Sequence, residues 1–284
     1  MISTETSAPA EMRASTRPSL PVIFLAFAGP YLVLYLYILL QLAYNFTRAG
    51  YGDLADALSL FFYRTNGWLG LLPALALFLL GIALNAAARK VCAMKTRNAA
   101  ITSAIFALAL VAFDHIAQAL VSARAEDLHA SFLNGWLSIK PMMISQYPSF
   151  PRGPLPMQVR LLAGIVSIIV LPAFIRFGGK FSDAKPSVLG LAFFGAVSFL
   201  CSMPKTIILG NAAYDYIHMG RNFIIFMLAD VYLFLAVSFL SQLLLCDRAL
   251  RKVKDRDILK FYAENVRMIL AKCAAFIQNR RSKP

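Results

Sequence analysis

Three acidic side chains stand where acids are costly. Asp230 interrupts an apolar run that begins at Phe223, Asp114 lies inside the run 99–122, and Asp215 follows the run 187–209. The other eleven of the fourteen acids fall in polar stretches. An ionisable group within a membrane is expensive and marks a functional site or a partner. Two carboxylates brought together cannot both ionise cheaply, because the first charge and the low dielectric raise the second pKa, so the pair holds one proton. One member then activates a water while the other protonates a leaving group, which is aspartic-peptidase chemistry. The plainer use of the same residues is ion pairing, Asp114 with Lys205 and Asp215 with Arg221.

The elements that must position these acids are membrane helices. The chain has 284 residues, 59% hydrophobic and 15% charged, with a mean hydropathy of +0.65, outside the range of soluble domains. A bilayer core of about 30 Å takes roughly 20 apolar residues as helix. Six runs qualify, over 21–44, 67–88, 99–122, 159–175, 187–209 and 223–246. The expected fold class is an all-α polytopic membrane protein: six transmembrane helices, a small extracytoplasmic strand and loop region, and a cytoplasmic C-terminal helix. The first run is too long for the apolar part of a signal peptide and lacks a small-residue cleavage site, so it reads as a permanent span.

Positive charge is retained on the cytoplasmic side. With the N-terminus inside, the inner segments hold Arg13, Arg17, Arg89, Lys90, Lys95, Arg97, Arg176, Lys180, Lys185 and the eleven basic residues of the tail, twenty of the 28. Both termini are then cytoplasmic, and the net charge of +14 is a topology signal and a basic tail that calls for no nucleic acid. In this frame Asp114 is about 12 Å and Asp230 about 10 Å inside the outer end of its span, with Asp215 at the outer surface. The three share one layer.

The remaining stretches are quieter. Residues 1–20 are small, polar and predicted disordered. The tail 248–284 carries Ile258, Leu259, Tyr262, Val266, Ile269 and Leu270 at helical spacing and reads as a basic amphipathic helix on the phospholipid bilayer. Cys92, Cys201, Cys246 and Cys273 stand singly, with no disulfide framework. His115, His129 and His218 fall on the outer side without metal-ligand spacing, so neither a metal nor a cofactor is expected. Spans one and two, from Phe24 to Leu42 and Leu69 to Leu84, contain no acid and are expected to pack outside the site-bearing core.

The stretch Asp215 to Asp230, D-Y-I-H-M-G-R-N-F-I-I-F-M-L-A-D, resembles the C-terminal signature of lipoprotein signal peptidases (signal peptidase II), in which an Asp, an aromatic residue and Ile precede a Phe-Asn-x-Ala-Asp. Upstream, F-D-H-I-A-Q-A-L-V from Phe113 to Val121 looks like the family's Asp-Gln-x-Thr-Lys element, with Asp114 in the Asp position and Gln118 in place of Lys. The segment Asn134 to Phe150 sits where the family has an extracellular strand region, and the alternation at Trp136, Leu137, Ser138, Ile139 and Lys140 is compatible with strand. Met227 stands where the family has Asn. A second alignment matches Gly210, Asn211 and Asp215 to the family's Gly-Asn-x-x-Asp-Arg, with Tyr216 in place of Arg, and puts the first dyad position near Ile224.

The resemblance covers about residues 99–247 as a four-helix core, leaving 21–98 as two additional helices. It implies a catalytic dyad of Asp215 and Asp230, supported by Asp114, Gln118, Lys205, Asn211, His218 and Arg221. It implies an aspartic endopeptidase of the bacterial cytoplasmic membrane that cuts signal peptides from lipid-modified precursor proteins. The alternative is a catalytically altered relative that binds lipidated or membrane-inserted segments. A small transporter using Asp114 and Asp230 as a proton relay fits less well, since these acids cluster near one face and not at midplane.

Overall fold

The computed structural model describes residues 17–50, 52–143, 184–208, 214–221, 224–247 and 254–281. The run 159–175, Asn211 and most of residues 1–20 lie outside them. The described chain is mostly helical, with a small antiparallel sheet. Five helical segments are long and apolar enough to cross a membrane: Gly29–Ala49, Gly67–Ala93, Arg97–Ala123, Lys185–Ser202 and Leu228–Cys246.

The first apolar run divides into α1 (Leu20–Phe27) and α2 (Gly29–Ala49), joined at Ala28. Pro30, in the first turn of α2, has no N–H to continue the ladder. A short helix α3 (Leu54–Thr65) follows, its start fixed by reciprocal capping between Asp53 and Asp56. Next come α4 (Leu72–Ala93), entered through a 3-10 turn at Gly67–Leu71, and α5 (Thr96–Ala123).

The sheet then begins, with β1 (Ala130–Phe132) and β2 (Leu137–Met143). Helix α6 (Lys185–Ile208) leads to β3 (Tyr214–Met219) and β4 (Ile224–Phe226), then α7 (Leu228–Cys246) and the tail helix α8 (Asp255–Arg281). The sheet order is β1-β2-β3-β4, with Ser138 opposite His218 and His218 opposite Ile225. The α5 helix packs against β3 and α7 starts directly after β4, which defines the sheet end of the bundle.

The expected peripheral placement of the first span is corrected for α1. It packs against α4 and α7, and its Phe27 is fully buried in one core with Phe194, Val197, Leu235 and Phe239. The Phe27 and Phe239 rings meet edge to face at 5.1 Å, and Phe194 stacks on Phe239 at 5.8 Å. Between apolar helices in lipid, association rests on close van der Waals packing and small residues, with no water to expel. Gly81 on α4 and Gly190 on α6 supply the room: a Cβ on the first would overlap the Phe27 ring, and on the second the Phe239 ring. Polar links also cross between the helices: Gln242 of α7 donates to Asn85 of α4 at 2.8 Å, Asn85 donates to the Gly81 carbonyl at 2.7 Å, and Ser198 of α6 donates to the Ala229 carbonyl of α7 at 3.2 Å.

Candidate functional site

The run from Phe223 does not enter the membrane as helix. Ile224, Ile225 and Phe226 are β-branched and aromatic, suit a strand, and pair with Ile217, His218 and Met219 of β3. Met227 remains extended, and α7 starts only at Leu228. Asp230 therefore lies in the first helical turn, where its carboxylate accepts the Met227 N–H at 3.0 Å. A carboxylate there also meets the positive end of the helix dipole. The expected depth of about 10 Å is thus corrected: Asp230 is an exposed residue at the sheet end of its span.

Asp114 lies on α5. It lies nine residues before Ala123, the end of α5, about 13 Å of helix, and is fully buried. One turn on, Gln118 reaches the sheet. With its amide oriented so that both groups are satisfied, its oxygen accepts the Tyr214 N–H at 2.8 Å and its nitrogen donates to the Tyr214 carbonyl at 3.2 Å, so α5 holds the first residue of β3 by both backbone groups.

Alternation along β3 sorts its side chains. Tyr214, Tyr216 and His218 share one face, with Ser138 beside His218; Asp215, Ile217 and Met219 take the other. Tyr216 is 5% exposed and its hydroxyl lies close enough to Asp114, Tyr232 and Asp230 to feel their charges. Burial pushes the Tyr216 phenol well above its ordinary range; the Leu228 backbone, the next largest influence, opposes the rise, and Asp114, Tyr232 and Asp230 add smaller increments to it. Tyr232 of α7 also lies near Asp114, and its hydroxyl donates to the Leu110 carbonyl of α5 at 3.4 Å. Asp114 and Asp230, from two helices, thus both act on one tyrosine of the sheet. Asp215 is the adjacent residue of β3, 9% exposed and paired across the ladder with Met142.

The other expected residues are distributed. His218 is buried on the Tyr216 face. Lys205 belongs to α6, with its side chain outside the described residues, as is all of Asn211. Arg221 is committed elsewhere: in left-handed backbone conformation (φ 53°), it donates to the Tyr63 carbonyl at 3.0 Å and lies 4.1 Å from the Tyr63 ring centre. Arg64 returns the contact by donating to the Arg221 carbonyl at 2.8 Å. This cross-pair docks α3 on the turn between β3 and β4.

Sequence reasoning missed Tyr216, Tyr232 and Trp136, whose buried indole N–H finds no acceptor among the described residues. The period-2 pattern Tyr214, Tyr216, His218 is the signal that marks the first of them. No group of three or more His, Cys, Asp or Glu residues able to hold a metal occurs among the described residues. Chemically, the layer offers two carboxylates, a protonated phenol and backbone N–H groups at a helix start. Compared with protein-family models, with curated proteins and with solved structures, the chain matches none.

Proposed function

We propose that this chain is a six-span aspartic endopeptidase of a bacterial cytoplasmic membrane, with both termini in the cytoplasm, resembling lipoprotein signal peptidase and acting on signal peptides of lipid-modified precursors. The observation that carries the reading is that Asp114 and Asp230, from two helices, both act electrostatically on the buried Tyr216 at the sheet end of a bundle of apolar helices, while Asp215, next along the strand, faces the other side of it. Asp230 is the shared acid. The resemblance names Asp215 as its partner; the neighbourhood of Tyr216 favours Asp114.

The chemistry needs one proton on the pair. The ionised carboxylate takes a proton from water as its oxygen bonds to the scissile carbonyl carbon. The protonated partner then gives its proton to the amide nitrogen as the C–N bond breaks, which leaves the pair with one proton again.

A second reading, binding of lipidated or membrane-inserted segments without hydrolysis, draws on the use of the Asp230 carboxylate as a helix cap, a role that needs no titration. The deciding experiment incubates the purified full-length chain in lipid nanodiscs with a diacylglyceryl-modified precursor. Cleavage before the modified cysteine, lost in Asp230→Asn and in one of Asp215→Asn and Asp114→Asn, supports the peptidase and identifies the partner. Binding without cleavage, unchanged in Asp230→Asn, replaces the peptidase reading with the second.

A further inference from the structure

We infer that Tyr216 is a substrate-contacting residue of this site, its hydroxyl donating a hydrogen bond to the scissile carbonyl oxygen beside the Asp114 and Asp230 carboxylates; this rests on the peptidase reading above.

Three observations carry it. The side chain is 5% exposed, yet its hydroxyl proton reaches no acceptor among the described residues. A buried donor left so is costly, and at a candidate site the cost is met when a ligand supplies the acceptor. Second, carboxylates delivered by α5 and α7 both act on the hydroxyl, so an amide bound at these carboxylates is placed to present its carbonyl oxygen to the phenol. Third, the phenol oxygen lies against the Leu228 backbone at the start of α7. That contact sets the positive end of a 19-residue helix behind the O–H. A donor backed by a helix start is polarised toward whatever oxygen faces it.

Burial and the surrounding acids keep the phenol protonated, so Tyr216 is a fixed donor and not a proton-transfer group. When water adds to the carbonyl carbon, the carbonyl π pair moves onto oxygen, and the developing charge falls on an atom already held by the Tyr216 proton. No proton leaves the tyrosine at any stage. A preorganised donor in a low-dielectric site acts mainly on the transition state, so the effect belongs in kcat and not in KM.

The test compares the full-length protein with Tyr216→Phe and with 4-aminophenylalanine at position 216, using the same lipidated precursor in nanodiscs. We expect kcat to fall about 100-fold in Tyr216→Phe, the scale of losing one oxyanion donor, with KM nearly unchanged and part of the rate restored by the amino group. A wild-type protein that cleaves, with Tyr216→Phe equal in kcat or altered in KM alone, overturns this inference and leaves the peptidase reading standing. If Tyr216→Phe does not fold, the folded amino variant decides: a rate near wild type supports the donor role, and its loss overturns it. A wild type that binds the precursor and leaves it uncut ends both the peptidase reading and this inference.

Discussion

Gln118 of α5 holds both backbone polar groups of Tyr214, accepting its N–H at 2.8 Å and donating to its carbonyl at 3.2 Å. This places β3, and with it Asp215 and Tyr216, at a fixed height above Asp114, one turn below on the same helix. Gln118 is 3% exposed, so Gln118→Ala leaves a backbone donor and acceptor buried without partners. The expected loss is about 1–3 kcal/mol in unfolding free energy, read from thermal or denaturant unfolding in nanodiscs. Gln118→Glu keeps the acceptor, loses the donor, and falls between. An Ala variant as stable as wild type refutes the clamp.

Asp230 has a structural role whichever function holds. Asp230→Asn retains an oxygen to accept the Met227 N–H but removes the charge at the start of α7, a loss of about 0.3–1 kcal/mol. Asp230→Ala removes the hydrogen bond as well, adding about 0.5–1.5 kcal/mol. Under the peptidase reading both variants lose cleavage equally while differing in stability. Parallel loss of activity and stability across the two makes the cap the whole explanation.

Apolar length was enough to locate most spans. Gly67–Ala93 and Arg97–Ala123 fall within about five residues of the expected ends, because an unbroken apolar run of that length has few alternatives to a membrane helix. The error at Asp230 has a definite origin. Ile224, Ile225 and Phe226 are as compatible with strand as with helix, and their pairing with Ile217–Met219 decides for strand.

That pairing moved the helix start to Leu228 and brought the acid to the surface. The expected single span 21–44 took no account of Pro30 at the break after α1, and nothing local announces that Phe27 will occupy the space beside Gly81. Tyr216 was legible only in retrospect. A tyrosine beside an aspartate looks like ordinary strand composition until the sheet faces the ends of α5 and α7.

Arg221 and α3 give a prediction about the sheet end. The guanidinium holds the Tyr63 carbonyl and faces its ring, so Arg221→Ala frees the C-terminal end of α3 from the turn between β3 and β4. The contact is partly exposed, and the loss is about 0.5–1 kcal/mol. Amide exchange should rise in Leu54–Thr65 and in β4 while α6 and α7 stay protected. Unchanged exchange in α3 would mean that Arg64, through its bond to the Arg221 carbonyl, suffices.

Within the membrane, Gln242 and Asn85 make an interhelical hydrogen bond between fully and nearly fully buried side chains. Such bonds in lipid average about 0.6 kcal/mol and reach about 1.7. A double-mutant cycle with Gln242→Leu and Asn85→Leu should return a coupling energy in that range, measured by unfolding in mixed micelles. Each single variant leaves one amide stranded among apolar side chains, so the singles should be at least as damaging as the pair. A coupling of zero would show that the two amides do not hold α4 against α7.

Tyr216 also sets a pH limit on stability. Its folded phenol is held above the ordinary value of 10.0 by burial first and by Asp114, Tyr232 and Asp230 after it, whereas the unfolded chain titrates at the ordinary value. Below pH 10 both states keep the proton and the contribution is constant. As pH rises past 10 the unfolded state releases a proton that the folded state retains, so stability falls with increasing pH. The wild-type unfolding free energy should therefore decline more steeply than that of Tyr216→Phe above pH 10, with parallel curves between pH 7 and 9. The difference between the two curves isolates Tyr216 from the other tyrosines and lysines that titrate in the same range. Curves that stay parallel to pH 11 would mean that the phenol meets water in the folded protein, and that the acids of α5 and α7 do not close over it.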